Sequence, residues 1–142
     1  KDYISLLHQK ICEYRLNDYI TIVEVDQNPY KYYLSSDILI HPSINEVLPL
    51  SILEACYFEI PVIVSNLDGI PELITSGEDG IIINPYDIEE ISAAMLKLAS
   101  NLELRKKLGA QGRQTVLKNY GTKIFSEKYL GLINNIIDNT SM

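Results

Sequence analysis

The sequence predicts an α/β fold: a Rossmann-like parallel sheet covered by helices on both faces. Three observations predict it. Short apolar runs at 37–41 (DILIH), 61–65 (PVIVS) and 80–84 (GIIIN) alternate with stretches of helical spacing. The runs are apolar at successive positions, so both of their faces need covering, as parallel strands require. Each is bounded by Pro, Gly, Ser or Asn, residues that end a ladder or begin a turn.

The elements follow in order. Residues 3–16 place Ile4, Leu7, Ile11 and Tyr14 at helical spacing, and Asn17-Asp18 breaks the pattern. Residues 19–25 are short and β-branched, which predicts a strand. Asn28-Pro29 reads as N-cap and first residue of a short helix ending near Ser36. The strand at 37–41 stops at Pro42, which has no N–H for a ladder. Pro49 opens the helix that holds Glu54. The strand at 61–65 follows, then a helical turn at 71–75, then the strand at 80–84. Asp87 with Glu90 predicts a capping box, and Ile88, Ile91, Met95 and Leu98 form one face after it. Asn101 begins a second helix through Leu104 and Leu108 toward Asn119. Thr122 begins a third, with Phe125, Tyr129, Leu132 and Ile136 on one stripe.

About four strands result, only part of a Rossmann-type sheet of about six. Ligands in such sheets bind beyond the carboxyl ends of the strands. Here that edge comprises residues 25–28, 41–46, 66–69 and 84–86.

The chain of 142 residues is enough for one domain with a real core. A formal net charge of −7 argues against a nucleic-acid binder, which would carry a basic face. Cys12 and Cys56 are isolated, sit in apolar settings and read as buried, reduced thiols of a cytoplasmic protein. No apolar run approaches the roughly 18–20 residues that span a bilayer. No signal peptide opens the chain, which starts at Lys1; a piece of a longer protein is expected.

Several chemistries find no motif. No G-x-G-x-x-G follows a strand, no Walker lysine follows a glycine-rich loop, and no G-x-S-x-G elbow appears. Gly109 and Gly112 lie in a helical region and read as packing or kink residues. His8 and His41 are far apart and make no metal pair. His8 reads as a surface residue, while His41 ends a strand at the ligand edge.

Glu54 stands inside an apolar helical run, where a carboxylate is costly unless something meets it. Glu46 lies just ahead of that helix. The helix start, with N–H groups at Leu50 and Ser51, suits a phosphate. Glu54 leans back toward that end and could accept from hydroxyls such as those of a ribose. Glu46 could do so on the other side of a diphosphate. The pair would then bracket a nucleoside diphosphate sugar. The plainer alternative is a partly exposed Glu54, or one paired with Lys31, beside an ordinary loop acid.

The segment HPSINEVLPLSILEACYFEIPVIVSNLDGIPELI resembles the E-x7-E signature region of glycosyltransferase family 4, retaining nucleotide-sugar-dependent enzymes with the two-domain GT-B fold. Glu46 and Glu54 have the spacing. Pro42-Ser43, Leu48-Pro49-Leu50-Ser51, Pro61-Val62 and Gly69-Ile70-Pro71-Glu72 agree with the surroundings, as do Gly80, Glu103-Leu104-Arg105 and Gly112-Arg113 downstream. The similarity covers nearly the whole chain.

The resemblance implies roles. Glu54 would bind the donor ribose, and Glu46, the catalytic residue of the site, would contact the transferred sugar. Backbone N–H groups at Leu48, Leu50 and Ser51 would bind the diphosphate and hexose. Pro49 replaces a glycine of many members and removes one N–H. Glu59 stands where many members have glycine, so it would pay for a positive φ or force another turn. The family's Arg and Lys on the diphosphate have no match in residues 1–46.

The chain therefore resembles a truncated C-terminal donor-binding domain of a GT-B glycosyltransferase. Residues 1–142 form that single domain, without its first strands and without the N-terminal acceptor domain. The implied reaction moves a hexose from a nucleotide-diphosphate sugar to a sugar or glycolipid acceptor, with retention. It uses no metal or other cofactor. The 142-residue chain alone is expected to be inactive. Polysaccharide or glycolipid synthesis in the cytoplasm, with peripheral contact at the inner membrane face through the full-length protein, completes the expectation. Two alternatives stand beside it: a non-catalytic GT-B-derived nucleotide-sugar-binding or interaction module, and a nucleotide-sugar epimerase of the same architecture.

Overall fold

The computed structural model describes residues 3–23 and 25–140, with 138–140 described by backbone alone. In chain order the elements are α1 (Tyr3–Glu13), α2 (Tyr30–Tyr33), β1 (Leu39–His41), α3 (Leu50–Tyr57) and β2 (Val62–Ser65). They continue with α4 (Ile70–Leu73), β3 (Ile81–Ile83), α5 (Ile88–Ala99), α6 (Leu102–Asn119) and α7 (Thr122–Thr140). Among the described residues the strands form one parallel sheet in the order β1-β2-β3. Leu39 lies opposite Val62, and Ile63 opposite Ile81.

Both faces are covered because every residue of β2 is buried. On one face Val62 and Val64 join Ile52, Ala55 and Cys56 of α3 with Ile70 and Leu73 of α4. On the other, Ile63 and Ile83 pack with Ala94 and Leu98 of α5 and Leu108 of α6. The side-chain alternation of a strand sends neighbouring residues of one apolar run into two different cores.

Asp87 caps α5 by accepting from Glu90 N at 3.0 Å, and Asn101 caps α6 by accepting from Leu104 N at 2.9 Å. The capping box expected at Asp87 is only half formed. The Glu90 carboxylate accepts from Asn84 N at 2.8 Å instead, tying the end of β3 to the start of α5.

Other expectations are corrected. Residues 19–23 and 25 form no strand; Glu24 lies outside the described residues. Tyr19 and Val25 are fully or largely exposed. β-branched residues supply a tendency, but a strand exists only where a ladder partner meets it. Asn28 does not cap α2. Pro29 occupies the cap position, and Asn28 N donates to Asp26 Oδ1 at 2.9 Å in a local turn. Cys12 is exposed, while Cys56 is buried. The apolar stripes of α1 and α7 form, but neither is buried.

Glu59 does adopt a left-handed φ of 61°. The turn survives because α6 braces it from two sides. Arg113 pairs with the Glu59 carboxylate at 3.2 Å, and Gly109 leaves room for the Glu59 carbonyl.

Candidate functional site

The site lies where β1 ends and α3 begins. β1 delivers His41 to the carboxyl edge of the sheet. The chain then loops through Glu46 and enters α3 at Leu50. Pro49 holds an extended conformation (φ −74°, ψ 106°) just ahead of the helix, and no side chain caps α3. The first N–H groups of the helix therefore face outward without a side-chain acceptor, at the positive end of its dipole. Leu48 and Leu50 are exposed and Ser51 is half-buried.

A second loop holds the first in place. Asp68 follows β2 and adopts a left-handed φ of 53°. Its carboxylate accepts from Glu46 N at 3.1 Å. A Cβ on the next residue, Gly69, would stand 2.4 Å from the Val47 carbonyl oxygen. The Asp68-Gly69 turn thus fixes the backbone of Glu46 and Val47 at close range. Neither residue stood among the site residues read from sequence, although an Asp-Gly pair after a strand signals a tight turn.

The Glu46 carboxylate is partly open, with 34% of its side chain exposed. His41 Nε2 lies 3.4 Å from Glu46 Oε1, and that nitrogen is buried without a hydrogen bond. His41 therefore faces an acid of the site. Ser65 Oγ, at the carboxyl end of β2, is also buried without a hydrogen-bond partner.

Glu54 is half-buried on α3. Its partner is the Tyr33 hydroxyl, which donates to Oε2 at 2.9 Å. Lys31, the alternative partner weighed from sequence, pairs with Asp26 instead. That ion pair, with the Asn28 N–H, pulls the Asp26 carboxyl down to about 2. Sequence reasoning missed Tyr33. Its spacing of 21 residues from Glu54 gives no periodic signal, and only the packing of α2 against α3 brings the two together.

Glu46, Leu48, Leu50 and Ser51 thus stand at one helix start at the carboxyl edge of the parallel sheet, and Glu54 lies one turn further along the helix. A cleft of about 260 Å³ opens toward the amino ends of the strands, lined by Asp37, Pro61 and Arg105 and by the stacked rings of Tyr33 and Phe58. Among the described residues no group of three or more His, Cys, Asp or Glu is placed to hold a metal ion. No helix among them is long and apolar enough to cross a membrane.

A parallel α/β sheet with a helix starting at its carboxyl edge is the Rossmann-like class of fold, in which ligands bind beyond the ends of the strands. The profile of the family described as glycosyl transferases group 1 matches residues 4–115, and the chain belongs to that family. It is 25% identical over 121 residues to the capsular polysaccharide biosynthesis glycosyltransferase CapM of Staphylococcus aureus, covering 85% of this chain and 32% of CapM. A glycosyltransferase of Rickettsia africae superposes with a TM-score of 0.89 at 27% identity, over 96% of this chain and 37% of that one. HepE of Anabaena, solved with UDP-glucose, has the same fold. Its TM-score is 0.87 at 17% identity, over 94% of this chain and 37% of HepE. The chain thus spans about a third of the length of these relatives.

Proposed function

We propose that the chain is the donor-binding part of a retaining, nucleotide-sugar-dependent hexosyltransferase of family-4 type. One observation carries the reading: a half-buried acid stands just ahead of an uncapped helix start at the carboxyl edge of the sheet, and a second stands one turn inside that helix. In this reading Glu54 accepts from the donor ribose. Glu46 contacts the transferred hexose. The N–H groups of Leu48, Leu50 and Ser51 hold the diphosphate and sugar between them.

The chemistry then follows from charge. As the glycosidic bond of the donor breaks, negative charge grows on the diphosphate. Outward N–H groups and the dipole of α3 favour that charge, by about 0.3–2 kcal/mol. A helix end of this strength cannot balance a diphosphate alone. Basic residues from elsewhere in the whole protein are needed to complete the site. An opposing domain is needed as well, to hold a sugar or glycolipid acceptor in line. Residues 1–142 then act as one domain of a larger cytoplasmic enzyme, peripheral at the membrane face where its acceptor is a glycolipid. No step in this scheme calls on a metal or other cofactor.

The test is product analysis. The whole protein is incubated with UDP-, GDP- and ADP-hexoses and a panel of glycoside acceptors, and products are read by NMR. The expected product carries the hexose with the donor's anomeric configuration. Binding without turnover would instead support a non-catalytic module, and release of an epimerised sugar would support an epimerase.

A further inference from the structure

We propose that Tyr33 is a positioning residue for the donor: its hydroxyl fixes the Glu54 carboxylate so that the other oxygen meets the ribose. The inference rests on the ribose role of Glu54 proposed above.

The geometry is specific. The Tyr33 hydroxyl donates to Glu54 Oε2 at 2.9 Å in a part-buried setting. No other hydrogen bond to the Glu54 side chain is present among the described residues. One carboxylate oxygen is thus occupied and the other is left with its acceptor capacity. A carboxylate held at one oxygen keeps its orientation before a ligand arrives, so less freedom is lost on binding.

The phenol is itself held. Its ring stacks on Phe58 with centroids 5.7 Å apart and planes 12° apart. Phe58 is the C-cap of α3, the helix that carries Glu54. Tyr57 meets Phe58 edge-on at 5.5 Å, and Tyr30 lies against it at 6.0 Å. Tyr33 is therefore clamped to the end of α3 and reaches back along the same helix to the acid. Ser36 Oγ, which donates to Tyr32 O at 2.6 Å, closes the short helix that carries it.

The chemistry fits a donor-only role. Burial, and then the Glu54 carboxylate, push the Tyr33 hydroxyl up to about 12. It stays protonated at neutral pH and can only offer its hydrogen to the acid. The ammonium group of Lys31 is engaged by Asp26, and the neutral phenol of Tyr33 is the group that meets Glu54.

The test is calorimetry on the whole protein with UDP, GDP and ADP, each beside its 2′,3′-dideoxy form. Wild type should prefer the ribose form of whichever base it binds. Tyr33→Phe keeps the ring stack and removes only the hydroxyl. It should weaken the ribose ligand roughly 10- to 150-fold, the scale of one hydrogen bond to a charged group, and change the dideoxy ligand little. On a Glu54→Ala background, which leaves the hydroxyl nothing to orient, the same substitution should add no comparable loss. Because both ligands are read on one sample, a lowered melting temperature in the variant leaves the comparison intact. Full ribose preference retained in Tyr33→Phe, or additive losses in the double variant, would overturn the positioning role alone. A wild-type protein that binds none of the nucleotides, or shows no ribose preference, would overturn the Glu54 reading and this inference with it.

Discussion

The Gly109 Cα lies so close beneath the Glu59 turn that a Cβ there would stand 1.9 Å from the Glu59 carbonyl oxygen. Arg113, one helical turn further along α6, reaches the Glu59 carboxylate at 3.2 Å and lies 5.2 Å over the Tyr57 ring. The left-handed turn that ends α3 is thus clasped by α6. Since the obstacle is backbone, it cannot move aside as a flexible side chain would. Gly109→Ala should therefore destabilise the fold by about 1–3 kcal/mol or more, as overpacking does. Thermal unfolding followed by circular dichroism checks this, and an unchanged melting temperature would refute the close approach.

Asp79 is 4% exposed, and its carboxylate accepts from Thr75 N at 2.7 Å and Thr115 Oγ1 at 2.8 Å. The loop before β3 is thereby pinned to α6. Thr115→Val preserves shape but removes one donor from a buried charge. A loss of about 1–3 kcal/mol is expected, read by urea denaturation. Equal midpoints and slopes for the two proteins would show that the pair contributes nothing.

The two thiols should differ in reactivity. Burial, with the Asp79 charge second, pushes the Cys56 thiol up to about 12, and the side chain is enclosed. Almost no thiolate exists there at pH 8, and the thiolate is the reactive form. Cys12 is exposed. Iodoacetamide at pH 8 should label Cys12 and spare Cys56 until denaturant is added. Peptide mapping decides the matter, and equal labelling of both in the native protein would contradict the packing around Cys56.

The sequence was legible where a local rule decides the outcome. The runs around Ile40, Ile63 and Ile82 became strands because two apolar cores claim their alternate residues. Asp87 and Asn101 became caps because the bond each makes is only three residues long. Legibility failed where partners are distant. The β-branched run at 19–25 found no ladder, and Glu90 found Asn84 rather than Asp87. At the site, the acids were visible as charges out of place in an apolar pattern. Tyr33, Asp68 and Gly69, which hold those acids, act across 20 or so residues, and no period announces them.

Glu46 separates binding from chemistry in the proposed function. Its expected partner is the hexose, not the ribose. Glu46→Ala should lower kcat at least ten times more than it weakens binding of the nucleotide alone, a split that marks lost transition-state stabilisation. Steady-state kinetics beside nucleotide titration will show it, and equal losses in the two would undo the assignment.

The most direct measurement is calorimetric titration of wild-type and Glu54→Gln protein with UDP, GDP and ADP. The substitution keeps size and shape, and it keeps a partner for the Tyr33 hydroxyl, but it removes the charge. If Glu54 accepts from the ribose, affinity for the preferred nucleotide should fall by about 1.5–3 kcal/mol, the range for a hydrogen bond to a charged group. An unchanged affinity would contradict a donor site built on Glu54.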